Sequence, residues 1–299
     1  MYQELAIIAP TASGKTALSI KLAHKIDAVI LSLDSLSVYK EIDIASAKPT
    51  LKEREGIKHF GIDCIYPNEK FDVVEFIDEY KKAKKYAIDN NKNLIIVGGT
   101  GFYLKSMIEG LSVAPILETS IKDTVKEQMQ YSHKVYELLY KIDPLFMNNI
   151  SKNDSYRIEK ALEIYLSTNL SPSEYFNKNK PKPIVNDLSI FEIQTDTDIL
   201  RDRIALRTKQ MVKNGIIDEV INLENNYTRK PNAMSSIGIV ETLDYLDGKL
   251  NKKELEEQIF IHTAQLAKRQ RTFNRSQFKS VIKDKLENLE QIILKSIFE

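Results

Sequence analysis

The chain alternates short, wholly apolar runs with longer segments whose apolar residues recur every three or four positions. The first run, ELAIIA at 4–9, is too short for a buried helix and enters a glycine-bearing turn, so it predicts a strand. GKTALSIKLAHKI follows with Ala17, Leu18, Leu22, Ala23 and Ile26 at helical spacing. DAVILSLDS (27–35) predicts a second buried strand, with Asp34 just past its end. FDVVEFIDEYKKAKKYAIDNN sets Phe71, Val74, Ile77, Tyr80 and Ile88 on one stripe interrupted only by Lys84, which predicts a long amphipathic helix. NLIIVGGTGFYL (93–104) predicts another buried strand that stops at a glycine turn.

Strands alternating with helices predict an α/β fold with a parallel sheet covered on both faces, where ligands sit at the carboxyl ends of the strands. Ala9 to Thr16, Asp34 and Gly98 to Gly101 all fall at such ends. Between 117 and 180, helix formers dominate, as in VYELLYKI and RIEKALEIYL, up to the Pro and Lys rich KNKPKP (178–183). LSIFEIQTD (188–196) returns as a strand, and helices are predicted from there to the end. The expected division is therefore a first part of the core over 1–114, a helical insertion over 115–186, and core completion with a helical, basic C-terminal region over 187–299.

At 299 residues and 42% hydrophobic content the chain can bury a full core and a smaller second unit. Forty-three Lys and Arg against 42 Asp and Glu leave a net charge of +1, so a polyanionic partner could be recognised only through clustered charge. Cys64 is the sole cysteine, which excludes an intrachain disulfide and any zinc site built on several thiolates. His24, His59, His133 and His262 lack metal-ligand spacings. No basic, apolar leader and no membrane-length apolar run is present, which predicts a cytoplasmic protein without a membrane partner.

The chemistry starts at APTASGKT: Ala9, Pro10, Thr11, Ala12, Ser13, Gly14, Lys15 and Thr16 form a Walker A type turn between strand and helix. Its backbone N–H groups and the helix N-terminus favour an anion, Lys15 adds a point charge, and the Thr16 hydroxyl can bind magnesium. Ala9 takes the first glycine position, but Pro10 biases its predecessor toward extended backbone, which alanine adopts. The core is thus P-loop NTPase-like. Where such proteins usually carry a magnesium-steadying acid, LIIVGGT supplies glycines and Thr100. Asp34 is the other candidate acid, as metal holder or general base, its bland alternative being a turn residue.

Toward the C-terminus, 258–283 carries six basic residues (Lys268, Arg269, Arg271, Arg275, Lys279 and Lys283) and no acid. On a helix Lys268, Arg271 and Arg275 share one side, with Phe273 and Phe278 close by, which predicts contact with a phosphate backbone.

PTASGKT (10–16), DSLSVYKEIDIASAKP (34–49), GGTGFYLK (98–105) and QLAKRQRTFNR (265–275), in this order, resemble the tRNA dimethylallyltransferases, the bacterial tRNA isopentenyl transferases. KNDSYRIEKALEIY, RDRIALRTKQMVKNGIIDEV and SSIGIVETLDYLDG extend the resemblance over nearly the whole chain. It implies transfer of a dimethylallyl group from its diphosphate to N6 of the adenosine immediately 3′ of the anticodon, with release of pyrophosphate, Mg2+ as cofactor, and a monomer acting on the tRNA anticodon arm.

Carried over residue by residue, the resemblance implies Asp34 as the base, with Lys15, Thr100 and Arg207 at the diphosphate and Arg203 in support one turn before Arg207. It implies tRNA contacts at Asp34, Ser35, Leu36, Ser37 and Thr100, at Tyr156, Arg157 and Lys160, at 235–240, at Lys268, Arg269, Arg271 and Arg275, and at Lys122. The chain departs from the family pattern at Ala9, Ser151, Ile239, Ala264 and Phe273, the last four at places the resemblance turns toward tRNA. An adenylate isopentenyltransferase, a P-loop kinase of a small metabolite and a non-catalytic RNA-binding module are the other readings. The first leaves the basic C-terminal stretch without a purpose, the second lacks its acid, and the third leaves Lys15, Thr16 and Asp34 together without a reason.

Overall fold

The computed structural model describes residues 2–112 and 114–298. In chain order, β1 (Glu4–Ile8), α1 (Lys15–Lys25), β2 (Ala28–Leu33), β3 (His59–Phe60), α2 (Val73–Asp89), β4 (Asn93–Gly98) and α3 (Gly101–Glu109) open the fold. Five helices follow: α4 (Thr119–Gln128), α5 (Ser132–Ile142), α6 (Pro144–Met147), α7 (Ser155–Thr168) and α8 (Pro172–Lys178). Then come β5 (Ser189–Gln194), α9 (Thr197–Lys213), α10 (Ile216–Tyr227), α11 (Ile239–Leu246), α12 (Lys252–Gln277), β6 (Ile282–Lys285) and α13 (Leu286–Phe298).

The chain divides into two compact units, Met1–Ile108 with Val185–Glu299, and Glu109–Ile184. The second unit thus begins six residues before the 115 read from the sequence and closes two before 186. It is all helical. Its core packs Val125 of α4, Leu139 of α5, Met147 of α6 and Ile158 and Leu162 of α7.

In the first unit six parallel strands run in the order β3-β2-β4-β1-β5-β6. Ile8 and Leu33 both pair with Gly98, so β1, β2 and β4 end level with one another. This register brings the three predicted loops to one edge. Leu18 and Leu22 of α1 and Leu289 and Ile293 of α13 share a core with Ile30, Ile95 and Phe191 of the sheet. A separate core joins the 38–45 segment to α10, α11 and the start of α12.

Three sequence expectations change. The stripe of α2 runs through Phe76, Ile77, Tyr80, Ala83 and Ala87, while Val74 and Ile88 are exposed. The spacing 76, 77, 80, 83 and 87 is that of one helix face, and Val74 and Ile88 fall outside it. Lys84 fits the stripe by reaching the largely buried Glu4 at 2.9 Å. Strands β3 and β6 were not expected. β6, IKDK, lacks apolar alternation because it is an edge strand held by backbone pairing to β5 and by Lys283 on Glu192 at 2.6 Å, residues directly opposite in register.

Candidate active site

The 9–16 loop leaves β1 and closes on α1. Its left-handed positions are Ala12 (φ 63°) and Gly14 (φ 91°), the latter capping α1. Ala9 carries no such demand, which is why alanine serves there. Ser13 is fully buried and its hydroxyl has no hydrogen-bond partner, whereas its carbonyl accepts from Arg203 at 3.3 Å. A buried hydroxyl without a partner costs about 1–3 kcal/mol. The loop residues that line the site's cavity are Thr11, Lys15 and Thr16.

Lys15 Nζ donates to the carbonyl of Pro10 at 3.3 Å. Burial, then the charge of Arg207, pulls the Lys15 amine down to about 8, with Asp34 opposing the shift. Arg207 is itself held below the usual guanidinium range by burial, again opposed by Asp34. A desolvated lysine that feels a desolvated arginine beside it marks a place where an anion is strongly favoured.

Asp34 ends β2 in an Asx turn: one oxygen, Oδ1, accepts from the amides of Leu36 at 2.8 Å and Ser37 at 3.1 Å. The 98–101 turn docks on the same strand end. Gly99 and Thr100 both donate to the Leu33 carbonyl, at 3.2 and 3.1 Å, which sets Thr100 beside Asp34. Glycine is required here by space, since a Cβ on Gly98 would stand 2.0 Å from the Leu33 oxygen. Gly98→Ala should therefore force β2 and β4 apart at the site and cost about 1–3 kcal/mol. Urea denaturation reads this directly, and an unchanged midpoint would show that the strand ends separate freely.

Helix α12 seals the turn. Gln270 accepts from the Thr11 amide at 3.0 Å and lies 2.3 Å from where a Gly99 Cβ would be. A cavity of 550 Å³ unites Lys15, Thr16, Asp34, Thr100, Arg207 and Arg269. A second cavity, of 1290 Å³, shares Lys15, Thr16, Lys48, Arg207 and Met211 with it, so these side chains form a wall common to both.

The IPP transferase family model matches residues 37–277. The chain belongs to that family. It is 57% identical over 293 residues to the tRNA dimethylallyltransferase of Aliarcobacter butzleri, covering 98% of each chain, and 54% identical to that of Sulfurovum sp. over 98% of this chain and 97% of the other. Among solved structures it is similar to the full-length tRNA isopentenylpyrophosphate transferase of Bacillus halodurans, with TM-score 0.73, 29% identity and 99% and 96% of the two chains covered. A eukaryotic dimethylallyltransferase captured acting on tRNA superposes with TM-score 0.80 at 27% identity, over 97% of this chain and 72% of that one.

In this IPP transferase the 34–49 segment is anchored by residues that no local motif singles out. The buried Lys48 amine donates to the Tyr39 carbonyl at 2.9 Å and pairs with Asp43 at 2.8 Å and with Asp63. Glu219 of α10 accepts from the amides of Asp43, Ile44 and Ala45 at 2.9, 2.7 and 2.9 Å, although burial raises its carboxyl above the usual range. Both lie in blocks quoted for the resemblance, but no local pattern marks an acid that will cap a segment 175 residues away.

The basic stretch of α12 parts into two faces. Arg269 turns into the 550 Å³ cavity with Gln270 and Phe273. Lys268, Arg271 and Arg275 line a 960 Å³ groove together with Arg201 of α9 and Lys283 and Lys285 of β6. Of the departures from the family pattern, Phe273 lies at the cavity and Ala264 at the groove. Ile239 is completely buried in the core beside Ile216, which corrects its expected placement toward RNA. Ser37 is also buried, while Ser35 is exposed.

In the helical unit Ser151, Lys122, Tyr156, Arg157 and Lys160 are all exposed. The Lys160 amine sits 5.8 Å from the Tyr156 ring, and Asp154 caps α7 by accepting from the Arg157 amide at 3.1 Å. No helix among the described residues is long and apolar enough to cross a membrane.

Proposed function

We propose that the chain transfers a dimethylallyl group from dimethylallyl diphosphate to N6 of the adenosine immediately 3′ of the anticodon in tRNA. The observation that carries this reading is one cavity holding a carboxylate whose Oδ1 alone serves the backbone, Asp34, together with a phosphate loop and two cations held down by burial, Lys15 and Arg207.

The diphosphate lies on the loop at Thr11, Lys15 and Thr16, with Lys15 and Arg207 against its oxygens. As N6 attacks the allylic carbon the C–O bond breaks and pyrophosphate departs. Negative charge gathers on the leaving group, and cations already in place stabilise it more in the transition state than in the ground state. The adenine amine loses a proton to Asp34 as the C–N bond forms. Thr100, beside Asp34, orients the base.

Among the described residues no three His, Cys, Asp or Glu side chains converge on a metal site. Magnesium would accordingly ride on the diphosphate and touch the protein at the Thr16 hydroxyl, supplying charge neutralisation for the leaving group.

The base must leave the anticodon stack to reach the cavity. The six cations of the 960 Å³ groove, from α9, α12 and β6, suit the neighbouring phosphates. Replacing Arg271 and Arg275 together with alanine should make the log–log salt dependence of tRNA binding shallower by about 1.5, at about 0.7–0.9 per lost phosphate contact. An unaltered slope in filter binding would remove the groove from the RNA path.

The reading itself is tested by incubating the protein and magnesium with dimethylallyl diphosphate and unmodified tRNA, AMP or ATP in turn. A five-carbon mass increase on tRNA with released pyrophosphate is expected. Prenylation of AMP alone, or phosphoryl transfer from ATP, would overturn it.

A further inference from the structure

Glu241 is a carboxylate with a residue exposure of only 3%, and it lines none of the cavities of 550, 960 and 1290 Å³. A carboxylate so placed needs partners, and it has two. Its Oε2 accepts from the Gly238 amide at 2.6 Å, and its Oε1 is paired with His262 Nδ1 on α12. Neither partner lines the 550 Å³ cavity itself, but each sits on an element whose neighbouring residues form one of its walls.

Gly238 closes the turn whose Ser235, Ser236 and Ile237 line that cavity, and it holds a left-handed φ of 92° with Thr242 Oγ1 on its carbonyl at 2.5 Å. His262 stands one helical turn before Leu266 and two before Arg269, on the side of α12 that continues to Phe273, and all three of these later residues line the cavity. None of these neighbouring residues lines the 1290 Å³ cavity.

We propose that Glu241 and His262 are positioning residues, a tether that sets the register between the 235–238 turn and α12 and so shapes the side of the cavity that receives the RNA base. The functional half of this inference rests on the tRNA reading above; the tether itself does not. The pair acts at a distance from the reacting atoms, so it tunes capture of the large substrate and leaves the phosphate loop as it is. Its neutral isostere should serve as well. In Glu241→Gln the amide oxygen can accept from Gly238 while the amide nitrogen donates to a neutral His262, whereas Glu241→Ala loses both bonds and His262→Ala loses one.

The experiment combines hydrogen–deuterium exchange with steady-state kinetics on the full chain. In His262→Ala, amide protection at 235–240 should fall at least tenfold while the 9–16 loop and the 34–37 turn stay protected. KM for tRNA should rise about five- to tenfold, with KM for dimethylallyl diphosphate within twofold, and Glu241→Gln should behave as the parent does. In a double-mutant cycle His262→Ala should add nothing to Glu241→Ala.

Unchanged protection at 235–240, or additive effects of the two alanine variants, would overturn the tether. Equal changes in both KM values would overturn its selective role and leave a stabilising contact only. If the parent protein transfers no prenyl group, the functional reading fails by that result, and the exchange data still decide the tether.

Discussion

Asp34→Asn should lower turnover about 10²–10⁴-fold while tRNA binds within about threefold of the parent. The turn geometry makes this a clean test. Only Oδ1 of Asp34 serves the backbone, accepting from Leu36 and Ser37, and an asparagine carbonyl can keep both bonds. What disappears is the carboxylate charge and its capacity to take a proton from the adenine amine.

That loss matters because the N6 lone pair is delocalised into the ring and gains nucleophilicity only as its proton leaves. Single-turnover prenylation followed by mass spectrometry, beside filter binding, separates chemistry from capture. Parent-like turnover would remove Asp34 as the base, and loss of tRNA binding in step with turnover would recast it as an RNA contact.

The second large effect belongs to Lys15. Its amine is pulled down to about 8 by burial and by Arg207, so in the free protein it passes from charged to neutral as pH rises through that value. Only the charged form attracts a diphosphate. kcat/KM for dimethylallyl diphosphate reports the free protein and should therefore fall as pH rises above about 8. With substrate bound, the added negative charge favours the protonated amine, so kcat should hold to higher pH.

Lys15→Met should abolish this alkaline limb and reduce kcat/KM about 10²–10³-fold, the loss typical of one preorganised charge at a leaving group. Asp34→Asn removes the one neighbour that raises the Lys15 value, so its limb should move to lower pH. A flat kcat/KM profile between pH 7 and 10 in the parent would show that Lys15 does not titrate against the diphosphate.

Local signals in the sequence reached a long way. β1, β2, β4 and β5 are apolar runs buried on both faces, a pattern that survives any detail of packing. The 9–16 loop, Asp34 and Thr100 were legible because parallel strands must deliver their following loops to one sheet edge. Arg207 was legible only through resemblance, since α9 also carries charges at 201, 202, 203, 209 and 213 and no local pattern sets one apart. The buried face of α2 is turned from the stripe the sequence predicts, with Phe76, Ala83 and Ala87 inside and Val74 and Ile88 outside, because alanines carry too weak an apolar signal to be counted. β6 escaped because an edge strand needs no apolar alternation when its backbone pairing and a Lys283–Glu192 pair hold it.

By itself the sequence determined the class of the fold, the anion loop and the acid that faces it, since these depend on periodicity and on residues a few positions apart. Tertiary structure alone decided which cations are depressed, which face of α12 meets the cavity and which meets the groove, and that Ile239 is core. It alone joined Gln270 to Thr11 and Glu241 to His262. The physical reason is range: a hydrogen bond or a desolvated charge depends on atoms a few ångströms away, and the chain between them carries no trace of that distance until it folds.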